Sequence, residues 1–318
     1  MARAAGTIIG AVMIQNKPLI LLVWAIVAAS CAPPTESLTL EPAKSPTSES
    51  VEIAPTIRQT ESRSTAAPKP TATTTSTEDD GCQETAGQMI QAELVDPELS
   101  RSLPYRVYLP PCAAEMQGQL PSLYLLHGLA RTDSQWDELE ADEIALNMMV
   151  AEQAPPFIMV MPWERLGLEY EETIVDYLIP HIESEYGASP DRALRSIGGI
   201  SRGAGWALRI GMQQPELFQA IGLHSPAVLV PDEFLIPEWI EQIPVDNMPE
   251  LWIDIGDRDP LRFSLPELTD LFDEADVPYV LQSYPGEHTE SYWADHVEDY
   301  LHWYVSGWLD LEPGDQPR

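Results

Sequence analysis

Short apolar segments alternate with amphipathic ones from about residue 88 to the end of the chain. Two of the apolar segments, 122–126 and 157–161, are almost continuously apolar, which is typical of strands covered on both faces of a sheet. Six further segments have the length and composition of strands: 88–95, 105–109, 195–199, 220–223, 251–255 and 279–283. The pattern therefore predicts about eight strands.

Amphipathic segments lie between these strands. Apolar residues recur at helical spacing over 174–186, where Pro180 should kink the helix, and over 293–308, where Gly307 should fray it. Strands that alternate with helices predict an α/β fold, with a mostly parallel sheet and helices on both faces. The first two strands should form an antiparallel hairpin at its start. We expect one folded domain over 81–318.

The first 31 residues have the order of a secretory signal. Arg3 and Lys17 precede or adjoin an apolar run over 18–29, and no acid occurs before Cys31. The run is shorter than the roughly 20 residues that span a bilayer. Its end resembles the processing site of bacterial lipoproteins, which implies lipidation of Cys31 and anchoring at the cell surface or the periplasmic face. The alternative is an ordinary secreted protein that is cut nearby.

The next segment, 32–80, is dominated by three residue types. Pro, Ser and Thr occupy 25 of its 49 positions, and it contains no aromatic residue and no Gly. Such a segment cannot bury enough surface to offset the entropy lost on ordering, so we expect a disordered linker. Behind a lipidated cysteine, this linker would hold the folded domain clear of the membrane.

Charge and cysteine content narrow the function further. The chain has 51 acidic and 17 basic residues, which give a net charge of −34. The phosphate backbone of a nucleic acid would repel so negative a protein, so we expect no nucleic-acid partner. No lysine follows Lys69, which removes Schiff-base chemistry from the folded part. Histidine and cysteine spacings do not suit a metal site. With Cys31 lipidated, Cys82 and Cys112 remain on either side of the hairpin, and we expect them to form a disulfide.

The clearest chemical motif is the Gly-x-Ser-x-Gly sequence at 199–203. It follows an expected strand and precedes an amphipathic segment, which is the context of a nucleophile elbow with Ser201 at the turn. The alternative is a glycine-rich turn with a solvated serine. In hydrolases of this build, the main-chain N–H groups of the residue after the serine and of a loop after an earlier strand bind the oxyanion, here those of Arg202 and Leu129.

A catalytic acid and a base should follow the serine in that order. The strand at 251–255 leads into three carboxylates, Asp254, Asp257 and Asp259, and the last strand leads into His288. Asp254 lies within the strand and is the least able to reach a loop histidine. Asp259 is favoured over Asp257 because Pro260 restricts the backbone after it.

Four other side chains are candidates for a substrate cleft. His127 follows the strand at 122–126 and is more simply explained as part of the oxyanion loop, while His224 follows the strand at 220–223 and has a packing role as its alternative. Trp136 and Trp293 could contact an aromatic or sugar group, although tryptophan in a large core more often serves packing.

Several segments together resemble the esterase D-like family of the α/β-hydrolase superfamily, over nearly all of the folded part. The resemblance implies a serine carboxylesterase or related acyltransferase with Ser201 as nucleophile, His288 as base and Asp259 as acid. Ala204 and Arg202 depart from it, because the family usually has a second glycine and an apolar or small residue there. The segments that carry the resemblance are 105–111, 124–128, 156–162, 178–180, 199–203 and 285–288, followed by Trp293.

These observations predict an extracytoplasmic serine hydrolase that cleaves carboxylic esters through an acyl-enzyme. No cofactor or metal is required by this chemistry. The substrate would be a small-molecule or polysaccharide-linked ester, and the membrane partner would be reached through the lipid anchor. Two alternatives stay open: an acyltransferase on the same three residues, and an inactive surface-binding protein on a hydrolase scaffold.

Overall fold

The computed structural model of the protein describes residues 82–309. The expected signal segment 1–31 with Cys31, and the linker expected over 32–80, lie outside the described residues. Within them, the structure contains an eight-stranded sheet with helices packed on both of its faces. The α/β fold class predicted from the sequence is therefore confirmed.

The eight strands agree with the expected segments to within two residues at each end. Sheet order is β1-β2-β4-β3-β5-β6-β7-β8. The strands are β1 (Gln88–Leu94), β2 (Leu103–Leu109), β3 (Ser122–Leu126), β4 (Ile158–Pro162), β5 (Arg195–Ile200), β6 (Ala220–His224), β7 (Glu250–Gly256) and β8 (Val280–Tyr284).

Strand direction follows the sequence prediction. β1 and β2 form the antiparallel hairpin, with Gln88 opposite Leu109, and β2 also pairs antiparallel with β4. All the other pairs, from β4 through β3 and β5 to β8, are parallel. Their carboxyl ends therefore meet at one edge of the sheet, where α/β folds place ligand-binding residues.

Nine α-helical segments occur among residues 82–309. They are α1 (Gln135–Glu138), α2 (Ala141–Val150), α3 (Tyr170–Glu172), α4 (Ile179–Tyr186), α5 (Arg202–Gln213), α6 (Ile236–Gln242), α7 (Leu265–Glu274), α8 (Glu290–Ala294) and α9 (Val297–Leu309). In this part of the chain, no helix is long and apolar enough to cross a membrane.

Two helical expectations change in detail. The interruption expected at Pro180 is a π-helical turn over Thr173–Leu178 that joins α3 to α4, because proline supplies no N–H to the helical ladder. The final helix is broken into α8 and α9 where His296 stacks on Tyr284 of β8, with ring centroids 4.2 Å apart. It does not fray at Gly307, which lies against the Gln219 side chain within α9.

Candidate active site

Ser201 occupies a sharp turn between β5 and α5. Its backbone has φ 56° and ψ −114°, a conformation that is strained for a residue with a side chain. The flanking glycines are required by space: a Cβ on Gly199 would overlap the main chain of Gly203, and a Cβ on Gly203 would overlap the Leu126 carbonyl oxygen. The turn therefore holds the serine out at the carboxyl edge of the sheet.

The structure brings the three predicted catalytic side chains together. Nε2 of His288 lies 2.9 Å from the Ser201 hydroxyl, and its Nδ1 lies 2.7 Å from an Asp259 carboxylate oxygen. The His288 side chain is 26% exposed, while Asp259 is fully buried. With Nδ1–H donating to the carboxylate, Nε2 is free to accept the serine proton.

The surroundings of Asp259 favour its ionised form. Burial acts to raise its pKa, but hydrogen bonds from His288 and from the Leu261 N–H, 2.8 Å away, outweigh burial and hold the pKa below its ordinary value. Its folded-state pKa is therefore lower than in the unfolded chain, so the stability that this group contributes is lost as the pH falls through the folded pKa.

Asp257 has a different task in the same loop. One of its carboxylate oxygens accepts a hydrogen bond from the Gly286 N–H at 2.9 Å, and the Arg258 N–H donates to the Gly286 carbonyl at 2.8 Å. Gly256 has no room for a side chain, because a Cβ there would lie 2.6 Å from the Gly286 carbonyl oxygen. These contacts tie the loop that carries Asp259 to the loop that carries His288.

The expected oxyanion donors flank the serine. Arg202 is the first residue of α5, where an N–H has no partner within the helix. Leu129 follows β3 by three residues, is 73% exposed, and lines the same cleft as Ser201 and Arg202. Leu129, Ser201 and Arg202 thus line one cleft, which makes the main-chain N–H groups of Leu129 and Arg202 candidates for stabilising a tetrahedral oxyanion.

The cleft beside Ser201 has a volume of about 440 Å³. Its lining includes the apolar segment 227–230 and also Trp206 with two arginines. Each arginine is neutralised by a bidentate ion pair, Arg202 with Glu164 and Arg209 with Asp232. The cleft is therefore walled by apolar and charge-compensated groups.

Two of the residues expected in a cleft lie in the core instead. His224 is 0% exposed: its Nδ1 bonds Asp254 at 2.7 Å, and its ring stacks on Tyr300. Trp136 is 1% exposed, and its indole N–H donates to the Leu126 carbonyl. Neither side chain lines the cleft beside Ser201, and we correct that expectation. Both pack within the layer between the sheet and α9.

Trp293 and His127 lie close to the expected site but are buried. The Trp293 ring meets the His288 ring edge to face, with centroids 5.0 Å apart, and its N–H donates to the Ser225 hydroxyl at 3.2 Å. His127 bonds the Gly128 carbonyl and the Glu164 N–H, each at 2.8 Å. Both residues support the site rather than line it.

Sequence reasoning did not identify Ser225 and Glu164. Ser225 is fully buried, with φ 51°, and its hydroxyl helps to lower the pKa of Asp259. Glu164 lies just after β4, and only the fold brings it to Arg202. The only signal in the sequence was position: each residue follows the carboxyl end of a strand.

Cys82 and Cys112 form a disulfide across the base of the hairpin, with Cα atoms 5.6 Å apart. In residues 82–309, the one group of three metal-ligating side chains that converge is this pair with Glu84. A disulfide sulfur is a poor metal ligand compared with a thiolate, so the group is structural.

A strand-to-helix serine elbow on an eight-stranded, mostly parallel sheet defines the class of α/β-hydrolases. A family model described as "Putative esterase" matches residues 97–304, which is more than half of the 318-residue chain. The chain belongs to this esterase family.

Known proteins are similar to this chain at lower levels. An endo-1,4-beta-xylanase/feruloyl esterase from Xylanibacter ruminicola is 28% identical in an alignment 140 residues long, which covers 40% of this chain and only 19% of that longer protein. A ferulic acid esterase structure has a TM-score of 0.63 at 23% identity, covering 70% of this chain and 99% of its own. The S-formylglutathione hydrolase FrmB from Staphylococcus aureus has a TM-score of 0.59 at 18% identity, covering 71% and 98%. The two structural likenesses establish the fold.

Proposed function

We propose that the protein is an extracytoplasmic serine esterase that acts on polysaccharide-linked esters of aromatic acids. The observation that carries the proposal is the continuous series of hydrogen bonds from the Ser201 hydroxyl through His288 to the buried Asp259. A solvated serine in a glycine-rich turn, which was the alternative for this motif, needs no such partners.

In the first half of the proposed reaction, Nε2 of His288 takes the proton of Ser201 as Oγ attacks the ester carbonyl. The negative charge that develops on the carbonyl oxygen is stabilised by the N–H groups of Leu129 and Arg202. The imidazolium, held by Asp259, then gives its proton to the departing alcohol. The product of this half is an acyl-enzyme on Ser201.

In the second half, a water molecule takes the place of the alcohol. His288 removes a proton from this water as the water oxygen attacks the acyl carbon. Collapse of the second tetrahedral intermediate returns the proton to Oγ of Ser201 and releases the carboxylic acid. Asp259 stays ionised throughout, which its lowered pKa supports.

Two observations support an aromatic acyl group on a polysaccharide. The cleft beside Ser201 is lined by the apolar segment 227–230 and by an aromatic side chain, Trp206. The relative from Xylanibacter ruminicola carries a xylanase and a feruloyl esterase name, and a structural neighbour is a ferulic acid esterase. An apolar cleft beside a serine suits the planar ring of an aromatic acid.

The test compares hydrolysis of p-nitrophenyl acetate, methyl ferulate and a feruloylated oligosaccharide by the folded domain. We expect all three to be cleaved, with the highest kcat/KM on the feruloyl oligosaccharide. Ser201→Ala should lower kcat by several orders of magnitude without a change in melting temperature, since the elbow side chain packs little. Ser306→Ala, an exposed serine on α9, serves as control. Retained activity in Ser201→Ala would refute the proposal.

Adding methanol or a sugar acceptor to the same assay separates hydrolysis from acyl transfer. Hydrolysis predicts ferulic acid as the main product at all acceptor concentrations. A product that is mostly a new ester would identify an acyltransferase, and no turnover of any ester would favour a binding protein.

For its location, we propose that the mature chain begins at a lipidated Cys31. The apolar run over 18–29 and the polar segment behind it support the proposal. In a bacterial host, globomycin should cause the unprocessed precursor to accumulate. A mature N-terminus that is unmodified, or that begins at another residue, would contradict it.

A further inference from the structure

The two halves of the oxyanion site come from different parts of the chain. One donor, the Arg202 N–H, is fixed by the start of α5, whereas the other, the Leu129 N–H, belongs to a loop after β3. An oxyanion site is most effective when both donors are held in place before the reaction. No free energy is then spent on orienting them as the transition state forms. A continuous series of contacts leads from one to the other.

That connection begins at the Arg202 side chain. Its Nε and Nη2 donate to the two carboxylate oxygens of Glu164 at 2.8 and 2.5 Å, which is the bidentate geometry of a strong, directional ion pair. The pair is partly shielded from water, since Glu164 is 19% and Arg202 35% exposed. The hydrogen bonds to Glu164 also raise the pKa of the guanidinium. Arg202 thus stays charged and oriented.

The connection continues through the main chain of Glu164. Its N–H donates to Nε2 of His127 at 2.8 Å, and the opposite ring nitrogen, Nδ1, bonds the Gly128 carbonyl at 2.8 Å. Both bonds are satisfied together by one neutral tautomer of His127, with the proton on Nδ1. Because the Gly128 carbonyl and the Leu129 N–H belong to the same peptide group, fixing one orients the other.

We infer that Arg202 and Glu164 form a positioning pair that holds the two halves of the oxyanion site in register. This inference rests on the proposed function. The Arg202 side chain acts in it by positioning other groups, without touching the reacting atoms. It also explains why a charged residue is accommodated where this family usually has an apolar or small one: Glu164 neutralises it.

Arg202→Met removes the ion pair, and Glu164→Gln removes its negative charge and one of its two acceptor oxygens. Misplacing one donor, without deleting it, should lower kcat on p-nitrophenyl acetate by about 10- to 100-fold, below the 10²–10³ of a lost donor. KM should change little, because a small acetyl ester gains no binding from the cleft. The double variant should be no worse than the poorer single one, since both remove the same link. Arg202→Lys, which keeps a charge but loses the fork, should recover part of kcat.

Arg192→Met is the matched comparison. Arg192 also makes two hydrogen bonds through its guanidinium, to the Pro215 carbonyl at 2.7 Å and to the Asn247 carbonyl at 3.0 Å, but it is not among the residues that line the cleft beside Ser201. Its kcat and KM for the acetyl ester should both equal the wild-type values. Binding of a trifluoromethyl ketone, which forms an oxyanion on the serine, should weaken in Arg202→Met and Glu164→Gln in the same ratio as kcat/KM.

The outcomes separate the two proposals. Wild-type protein that hydrolyses no ester overturns the proposed function. If the wild type is active but Glu164→Gln has the same kcat and the same ketone binding, the positioning role alone is overturned. A rise in the KM of this variant with kcat unchanged would overturn it too. Turnover is expressed per active serine after exhaustive labelling with a fluorophosphonate, so a variant that folds poorly still gives a decisive value.

Discussion

Three carboxylates near the end of β7 have the same chemistry but three different environments. Asp254 points into the core, Asp257 bonds the Gly286 N–H, and Asp259 bonds Nδ1 of His288. The side-chain direction of a strand residue is fixed by the pleat, while a loop residue can turn toward a partner. Asp254 is therefore confined to the core by its place within the strand, while the loop after Gly256 allows Asp257 and Asp259 to reach different partners.

Asp259→Asn should lower kcat by about 10⁴, because an amide at this position no longer holds His288 in the tautomer that accepts the serine proton. Asp257→Asn should cost about tenfold or less, since it weakens one bond between loops. Both variants are measured on one activated ester, with melting temperatures as the check on folding. The reverse order of damage would assign the acid to Asp257.

Asp142, in the first turn of α2, is a carboxylate whose charge opposes folding. Burial, and then its neighbour Glu143, raise its pKa to about 6, and one of its oxygens is buried without a hydrogen-bond partner among the described residues. The folded state therefore binds this proton more tightly than the unfolded chain, where the pKa is about 3.9. Stability is lost as the pH rises from about 4 through about 6.

Asp142→Asn should remove that loss. Its melting temperature is expected to equal the wild type's near pH 4 and to exceed it at pH 7 to 8, where the wild-type carboxyl is ionised. Thermal melts across this pH range measure the difference. Glu143→Gln, which removes only the neighbouring charge, should give a smaller gain of the same sign. An equal melting temperature at pH 8 would contradict the assignment.

Among elements, the C-terminal helices are joined to the sheet by a buried polar network. Asp254 of β7 accepts hydrogen bonds from His224 of β6 at 2.7 Å, from Tyr292 of α8 at 2.8 Å and from Tyr300 of α9 at 2.9 Å. The other His224 nitrogen lies 3.0 Å from the Tyr304 hydroxyl. The network joins α8 and α9 to β6 and β7, and β7 leads into the loop that contains Asp259.

Asp254→Ala should lower the free energy of unfolding by about 3–5 kcal/mol, because three buried donors lose their acceptor. Activity per folded molecule should fall by about tenfold or less, since Asp254 touches none of the reacting groups. Urea denaturation measures the first effect and titrated active sites the second. As a graded comparison, Tyr300→Phe removes one donor and should cost about 1 kcal/mol. A loss of turnover like that of Asp259→Asn would contradict this structural role.

At the scale of the whole molecule, the start of the domain is joined to the sheet by covalent and polar links. Besides the disulfide, the Cys82 N–H donates to Glu115 at 2.8 Å and the Cys112 N–H donates to Glu84 at 2.8 Å. The disulfide closes a loop of 30 residues around the β1–β2 hairpin. The hairpin lies at the edge of the sheet farthest from β8.

Replacing both cysteines by serine should lower the free energy of unfolding by about 3–4 kcal/mol, the loop-closure value for a ring of this size. kcat should stay at the wild-type value, because the hairpin is remote from Ser201 in the strand order. Denaturation with and without a reductant provides the measurement, and the reductant should have no effect on the double variant. Two free thiols in unfolded, non-reduced wild type would refute the pairing.

The local features of this protein were determined by the sequence. All eight strands, the hairpin and the elbow at Ser201 follow from patterns within a few residues, because strand periodicity and glycine's small volume act locally. Ser201, Asp259 and His288 each follow an expected strand. Because parallel strands end at the same edge of a sheet, the sequence also predicts that the three residues meet there. For these features, neighbouring residues carry the information.

Contacts between distant residues were decided only by the tertiary structure. Nothing near Glu164 in the sequence indicates its partner Arg202, which is 38 residues away. Likewise, nothing near His224 or Trp136 shows that each side chain hydrogen-bonds a partner in the core and does not line the cleft. The break between α8 and α9 likewise coincides with the stacking of His296 on Tyr284, which belongs to β8. Whether a polar side chain meets substrate or core depends on which elements pack around it, and periodicity alone does not contain that information.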